Sequence, residues 1–197
     1  MDVRPIININ NNIDQTEYYW YKEGFNADEL DWIHNLKELY KYEIASIVGP
    51  TDPSILKEIR QSRIKWLTYD EKSMWLYDKL ENFAVEANNI IWGFDLHSII
   101  DSIQYTEYTE GCGHYDWHVD IGPGIKHRKI SIVVQLSDPS EYEGGDLQIW
   151  SGGQFRSVPK IKGCTALFPS FLLHRVTPVT NGLRRTLVLW IGGGSYR

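Results

Sequence analysis

At 197 residues, 42% hydrophobic and 23% charged, the chain has the length for one packed core and an ordinary globular balance. Its net charge of 20 − 26 = −6, with no long basic run, argues against a general nucleic-acid binder. Residues 1–14 carry no apolar signal-peptide core, and no apolar run approaches a membrane span. The two cysteines, Cys112 and Cys164, are too few for a disulfide scaffold or zinc cluster, so a cytoplasmic protein with reduced thiols is expected.

In chain order, the Asn-rich stretch Asn8–Asn12 reads as a turn or loop. A helix is predicted over 26–48. Asn26 caps it with Glu29 three residues on, and Leu30, Ile33, Leu36, Tyr40, Ile44 and Ile47 recur at 3–4 spacing before Gly49-Pro50 ends it. Ile59–Leu67 reads as extended. A second helix is predicted from Asp70 to Ala87, capped by Thr68 or Asp70, with Leu76, Leu80, Phe83 and Ala87 as its apolar stripe.

From Ile90 the character changes to short β-prone runs: Ser102–Tyr108, Tyr115–Ile121, Lys129–Leu136, Asp146–Trp150, Cys164–Phe168, Leu172–Val179 and Arg184–Ile191. Turn signals separate them, among them Gly111-Cys-Gly113, Gly144-Gly145 and Asn181-Gly182. This spacing indicates a sandwich or jelly roll. Strands apolar on both parities, such as Ile130-Ser-Ile-Val-Val-Gln-Leu136, fit a sheet covered on both faces, with helices packed outside. No linker-like segment divides the chain, so one domain over 1–197 is expected: helical support and flanking strands over 1–98, a β core over 99–192.

His118 and Asp120 stand two apart on a predicted strand. They should share a face, with Cα atoms roughly 6.5 Å apart, and so can share a metal. His174, on another predicted strand, supplies a third ligand. Two imidazoles and one carboxylate that leave other positions open are the donor set of non-haem iron(II) oxygenases. A lone His-x-Asp is most often a surface pair, so further residues must carry the reading. Arg184 follows His174 by ten residues across Val179–Leu183. If the two flanking strands are neighbours, Arg184 lies near the metal ligand but deeper. A buried Arg needs an anion, which a dicarboxylate would supply to its fork of donors.

Four stretches then carry a resemblance: Tyr-Asp-Trp-His-Val-Asp at 115–120, Arg-Lys-Ile-Ser-Ile-Val-Val-Gln-Leu-Ser-Asp-Pro at 128–139, Glu-Tyr-Glu-Gly-Gly-Asp-Leu at 141–147, and Phe-Pro-Ser-Phe-Leu-Leu-His-Arg-Val-Thr-Pro-Val-Thr-Asn-Gly-Leu-Arg at 168–184, with Trp190 beyond. Segments 59–67 and 89–96 are similar more loosely. The chain resembles the 2-oxoglutarate/Fe(II)-dependent dioxygenase superfamily, in its prolyl-4-hydroxylase-like branch that includes the PKHD-type hydroxylases. The resemblance implies a mainly β fold with α: a double-stranded β-helix (a jelly-roll, cupin-like core) with N-terminal helices on one sheet. It implies His118, Asp120 and His174 as iron ligands and Arg184 as the anchor of the 2-oxoglutarate 5-carboxylate. It places Tyr108 and Gln135 along the cosubstrate pocket, although some relatives carry Tyr where this chain has Gln135. The cofactors implied are Fe(II), 2-oxoglutarate and O2, with ascorbate as a reductant.

The implied function is hydroxylation of a prolyl residue in a peptide or protein, with release of succinate and CO2. The alternatives are the same chemistry on a free amino acid, small molecule or nucleobase, a metalloenzyme of the same fold without 2-oxoglutarate, and an inactive jelly-roll binding or structural module. No membrane partner is expected. Trp190 shares parity with Arg184, Thr186 and Val188 and should face the interior. Glu107, Asp116 and Tyr115 are expected near the site mouth. His114-Tyr-Asp116 is a second His-x-Asp pair of the same parity. Flanking Gly111 and Gly113 assign His114 to a loop, the family pattern places an aromatic (Tyr115) three residues before the metal His, and a second carboxylate would occupy a position the cosubstrate needs.

Overall fold

The structure is a computed structural model that describes residues 18–45, 57–99 and 101–194. The expected turn at Asn8–Asn12 and the predicted helix end at 46–50 lie outside the described residues.

The strands, in chain order, are β1 (Tyr19–Tyr21), β2 (Glu43–Ile44), β3 (Arg60–Gln61), β4 (Arg63–Leu67), β5 (Leu96–Ile99), β6 (Ile103–Thr109), β7 (His114–His118), β8 (Arg128–Gln135), β9 (Tyr142–Gly144), β10 (Leu147–Ser151), β11 (Gln154–Ser157), β12 (Thr165–Pro169), β13 (His174–Val176) and β14 (Val179–Gly193). They form two antiparallel sheets. The major sheet runs β1-β12-β8-β14-β6-β4-β2, with β5 and β9 also on β14. The minor sheet runs β11-β10-β13-β7-β3. Apolar residues of both sheets meet between them, including Ile149 and Val176 from the minor sheet with Ala166 and Phe168 from the major one. This is the double-stranded β-helix core expected from the sequence.

Period-2 alternation decides what each strand of the major sheet shows to which side. Ile130, Ile132 and Val134 of β8 and Leu187, Leu189 and Ile191 of β14 pack outward, under the helices. Helices α1 (Ala27–Leu36) and α2 (Met74–Ala87) bury Leu30, Ile33 and Leu36, and Leu76, Leu80 and Ala84, against them. The opposite parity, Arg184, Thr186, Val188 and Trp190, faces the space between the sheets. Strands apolar on both parities are thus explained by a sheet covered on both faces.

The predicted capping box is present: the Asn26 side chain accepts from Glu29 N, and Glu29 Oε2 accepts from Asn26 N, each at 2.9 Å. The helix nevertheless ends at Leu36 rather than continuing to 48. A 3₁₀ turn over Lys37–Leu39 gives way to an extended Tyr40. The chain then pairs Glu43 with Ile64, covering the open edge of β4 and leaving Ile44 89% exposed. Satisfying a sheet edge outweighs the apolar spacing that Tyr40 and Ile44 prolong. The second helix begins at Met74, later than Asp70. The Asp70 carboxylate instead accepts from the N–H groups of Lys72 and Ser73 in the preceding turn.

Asn181-Gly182 is not a hairpin turn. β14 runs through it, pairing Asn181 and Gly182 with β9 and Leu183 onward with β6. Gly182, at φ +77, absorbs the bend, and a Cβ there would lie 2.0 Å from the Glu141 carbonyl oxygen. His174 and Arg184 are therefore not on neighbouring strands: β13 belongs to the minor sheet and β14 to the major one.

Candidate metal centre

His118 closes β7, and His174 opens β13 directly opposite it in register. Asp120 lies two residues past the end of β7, not on the strand as expected. Its backbone N–H donates to the Ser170 carbonyl at 2.9 Å, which fixes the loop against the end of the major sheet. The three side chains converge: His118 Nε2 is 3.7 Å from Asp120 Oδ1, and His174 Nε2 is 3.5 Å from Asp120 Oδ2. One donor atom from each lies within 4.8 Å of the others.

The protonation state suits a metal. His118 Nδ1 sits 2.7 Å from the Asp116 carbonyl and His174 Nδ1 2.8 Å from the Leu172 carbonyl. A carbonyl accepts, so each Nδ1 carries the proton and each Nε2 keeps its lone pair toward Asp120. Burial, aided by His174, pushes the His118 imidazole down to about 3. For Asp120, burial works to raise the carboxyl, but His174, His118 and the Ser131 hydroxyl, which donates at 2.6 Å, hold it below its usual value. Two imidazole nitrogens with one carboxylate are the donor set that iron(II) takes. The Tyr115 ring stacks on His118 with centroids 3.4 Å apart, and the Arg60 guanidinium carbon lies 4.6 Å from the Tyr115 ring centroid.

These ligands line a cavity of about 600 Å³ between the sheets, together with Tyr108, Val133, Thr186, Trp190 and Arg184. Tyr108 lies beneath Arg184, whose guanidinium carbon is 5.4 Å from the ring centroid. Arg184 is 2% exposed, and its Nε and Nη1 meet no hydrogen-bond acceptor among the described residues. A buried cation with unused donors in the wall of the metal cavity fits the distal carboxylate of a dicarboxylic acid. Gln135 does not line this cavity. Its amide donates to the Tyr142 hydroxyl at 2.8 Å and the Ser137 carbonyl at 3.2 Å, facing a small adjoining hollow that Arg184 shares.

Three expectations need correction. Glu107 is not at the mouth: it is on the outward face of β6, 4% exposed, paired with Arg63 at 2.9 Å and near Arg185 at 3.7 Å. The Asp116 carboxylate is exposed and accepts from Trp117 N, away from the cavity. His114 begins β7 rather than standing in the loop, because Gln61 pairs with it and orders the chain there. Its ring nitrogens face the Cys112 and Glu58 carbonyls at 2.7 and 2.8 Å. His114→Ala is therefore expected to keep near-normal iron content, measured by metal analysis, while His118→Ala loses it. The reverse would move the site four residues upstream.

Sequence reasoning missed Ser131 and Tyr142. Ser131 carried a signal, a lone hydroxyl at interior parity in the apolar run of β8. Tyr142 carried none, because its place beside Arg184 depends on the long-range pairing of β9 with β14.

Residues 103–192 match the family model described as the 2OG-Fe(II) oxygenase superfamily. A PKHD-type hydroxylase of Synechococcus sp. (strain CC9311) is 34% identical over 122 residues, covering 61% of this chain and 50% of its own length. Another from Cupriavidus metallidurans is 35% identical over 114 residues, covering 55% and 50%. The chain thus spans about half the length of these curated relatives. Among solved structures, a Pseudomonas putida prolyl-4-hydroxylase superposes with TM-score 0.69 at 19% identity, over 91% of this chain and 94% of its own. A prolyl hydroxylase from Trichoplax adhaerens, solved with a hypoxia inducible factor peptide fragment, gives TM-score 0.75 at 16% identity, over 93% and 86%. At these identities the two structures speak to the fold, and their fold is the one described above. The segment that holds all three converging side chains and Arg184 is thus similar in sequence to the 2OG-Fe(II) oxygenase superfamily and to its PKHD-type hydroxylases.

Proposed function

We propose that the protein is a 2-oxoglutarate- and Fe(II)-dependent dioxygenase that hydroxylates a prolyl residue in a peptide or protein. The observation that carries the reading is one cavity lined by His118, Asp120, His174 and the buried, under-satisfied Arg184. In it, His118 and His174 would hold the iron through Nε2 and Asp120 through its carboxylate. Iron(II), with 2-oxoglutarate and O2, supplies the oxidising chemistry: one oxygen atom goes to a substrate C–H, the other into succinate as CO2 leaves. Arg184 anchors the far carboxylate, Ser131 orients Asp120, and Val133, Val188 and Trp190 keep the wall between them dry.

The cavity volume is in the range of small-molecule sites, room enough for a cosubstrate and an entering side chain. The peptide class is supported by the peptide fragment in the structure of the Trichoplax prolyl hydroxylase. No helix among the described residues is long and apolar enough to cross a membrane. The helices and both sheets share packed cores, which supports reading 1–197 as one catalytic domain, and the two free thiols support a cytoplasmic setting.

The test is succinate release by iron-loaded protein with 2-oxoglutarate and O2, with and without ascorbate. Pro-containing peptides, free amino acids, small metabolites and nucleobases are supplied in parallel. The expected result is peptide-dependent succinate with one oxygen atom added to a prolyl residue. Release driven only by small molecules would overturn the peptide assignment. Absence of turnover with every substrate, in protein that holds neither iron nor 2-oxoglutarate, would leave a binding module.

A further inference from the structure

We infer that the outer face of the minor sheet is the interface through which two copies of this chain form a two-fold dimer, Arg175 of each copy meeting the partner's Asp116.

Strand period turns His118, Ile149, His174 and Val176 inward, to the metal cavity and the core between the sheets. The same strands therefore send Trp117, Trp150, Phe155 and Arg175 outward. Phe155 stands directly opposite Trp150 in register. The Trp117 ring centroid lies 6.0 Å from that of Trp150 and 6.4 Å from that of Phe155. The Arg175 guanidinium carbon lies between, 4.6 Å from the Trp117 centroid and 5.8 Å from the Phe155 centroid. Trp150 is 43% exposed and Phe155 50%, and the exposed Leu173 extends the patch. The helices do not cover it, because both pack on the major sheet. Single apolar side chains on a surface are ordinary, but contiguous rings around an arginine have the composition of interface anchors.

The charges on this face select the occupant. Arg175 donates to the Gln148 side chain at 2.8 Å and meets no carboxylate among the described residues. Asp116 is exposed, its carboxylate accepts from Trp117 N at 2.8 Å, and it meets no cation among the described residues. Register sets the two side by side. His174 pairs with His118 and Val176 with Tyr115, so Arg175 stands across from residues 116–117 on the adjacent strand. Consider a two-fold axis in the plane of contact, running along the strands between β7 and β13. It lays β7 of one copy over β13 of the other. Arg175 then faces the partner's Asp116, and the same pair recurs across the axis, as an isologous contact requires. An acid and a base at one level on neighbouring strands satisfy that symmetry. The rings flank the two pairs and supply the apolar area, with the sheets about 10 Å apart as in a sandwich. This exchange also offsets, at the contact, the repulsion between two chains of net charge −6.

The experiment is sedimentation velocity of the full chain over a wide concentration range, with circular dichroism as the folding control. Wild type is expected to sediment as a dimer. Arg175→Asp and Asp116→Arg should each be monomeric, because reversal sets like charges against each other and weakens association at least about a hundredfold. An equimolar mixture of the two variants should regain the dimer, since each copy then meets opposite charges at both pairs. Trp150→Glu, which alters neither charge, should also be monomeric. Wild type that stays monomeric at every concentration would overturn the inference and leave the face to a different protein. A dimer that survives either single reversal would overturn it too, by placing the interface elsewhere. A mixture that stays monomeric, with both variants folded, would refute the exchange of Arg175 and Asp116. If a reversal fails the folding control, Trp150→Glu decides in its place, and a wild-type dimer in that variant overturns the inference.

Discussion

Asp120→Ala is expected to purify with little iron and to release no succinate, while folding to the same two-sheet core. Asp120 is the one carboxylate of the converging triad, and it lies between the two imidazoles. Removing it leaves two imidazole nitrogens for a dication. Loss of an outer partner of a metal ligand typically costs 10–100-fold in affinity, so loss of the ligand itself should cost at least about a hundredfold. Ser131→Ala, which removes only the hydroxyl that donates to Asp120 at 2.6 Å, should fall within that smaller range. The fold should persist because the Asp120 backbone bond to Ser170 does not depend on the side chain and Ser131 keeps Ser170 as a partner at 3.0 Å. Metal analysis after iron loading, with circular dichroism as the folding control, checks the ordering. Wild-type iron in Asp120→Ala would refute the ligand assignment.

The sequence showed most clearly what depends on strand period. Parity alone placed Arg184, Thr186, Val188 and Trp190 on one interior face, and the same count separates Arg184 from Arg185. The candidate ligands were legible as residue types, imidazole and carboxylate, whereas preferring 118 and 120 over 114 and 116 leaned on the flanking glycines and the family resemblance. Features that depend on partners far along the chain were not legible. Nothing local says that residues 43–44 leave the helix to cover β4, or that Asn181-Gly182 bends a strand rather than turning a hairpin. Glu107 looks like a mouth residue only until β6 is set in its sheet, where odd parity turns it toward Arg63 and Arg185. Tyr142 is visible as an active-site neighbour only once β9 pairs with β14. Local composition encodes period and turn chemistry, and sheet order is fixed by pairings that span the chain.

Arg184→Met should stabilise the free protein and remove its response to 2-oxoglutarate. The Arg184 guanidinium is 2% exposed, and two of its nitrogens lack acceptors, so the folded apo protein carries a desolvated, undercompensated charge. Replacing such a charge by an apolar chain of similar length is expected to gain about 1–2 kcal/mol, raising the melting temperature by several degrees at this chain length. The wild-type, Mn(II)-loaded protein should gain about 2.7 kcal/mol from 2-oxoglutarate at a hundred times its dissociation constant, and Arg184→Met should gain nothing. Arg185 provides the opposite case one residue away. It lies 3.7 Å from the buried Glu107 and 3.3 Å from Glu141, on the outward face of β14. Arg185→Met leaves Glu107 with Arg63 as its remaining cation, so it should lower the melting temperature and keep the ligand-induced shift. Melting curves of both variants with and without 2-oxoglutarate give four numbers whose signs must cross. If Arg185→Met were the variant that lost the shift, the register of β14 against β6 would be wrong by one residue, and the interior face of the cavity would have to be reassigned from 184, 186, 188 and 190 to the residues between them.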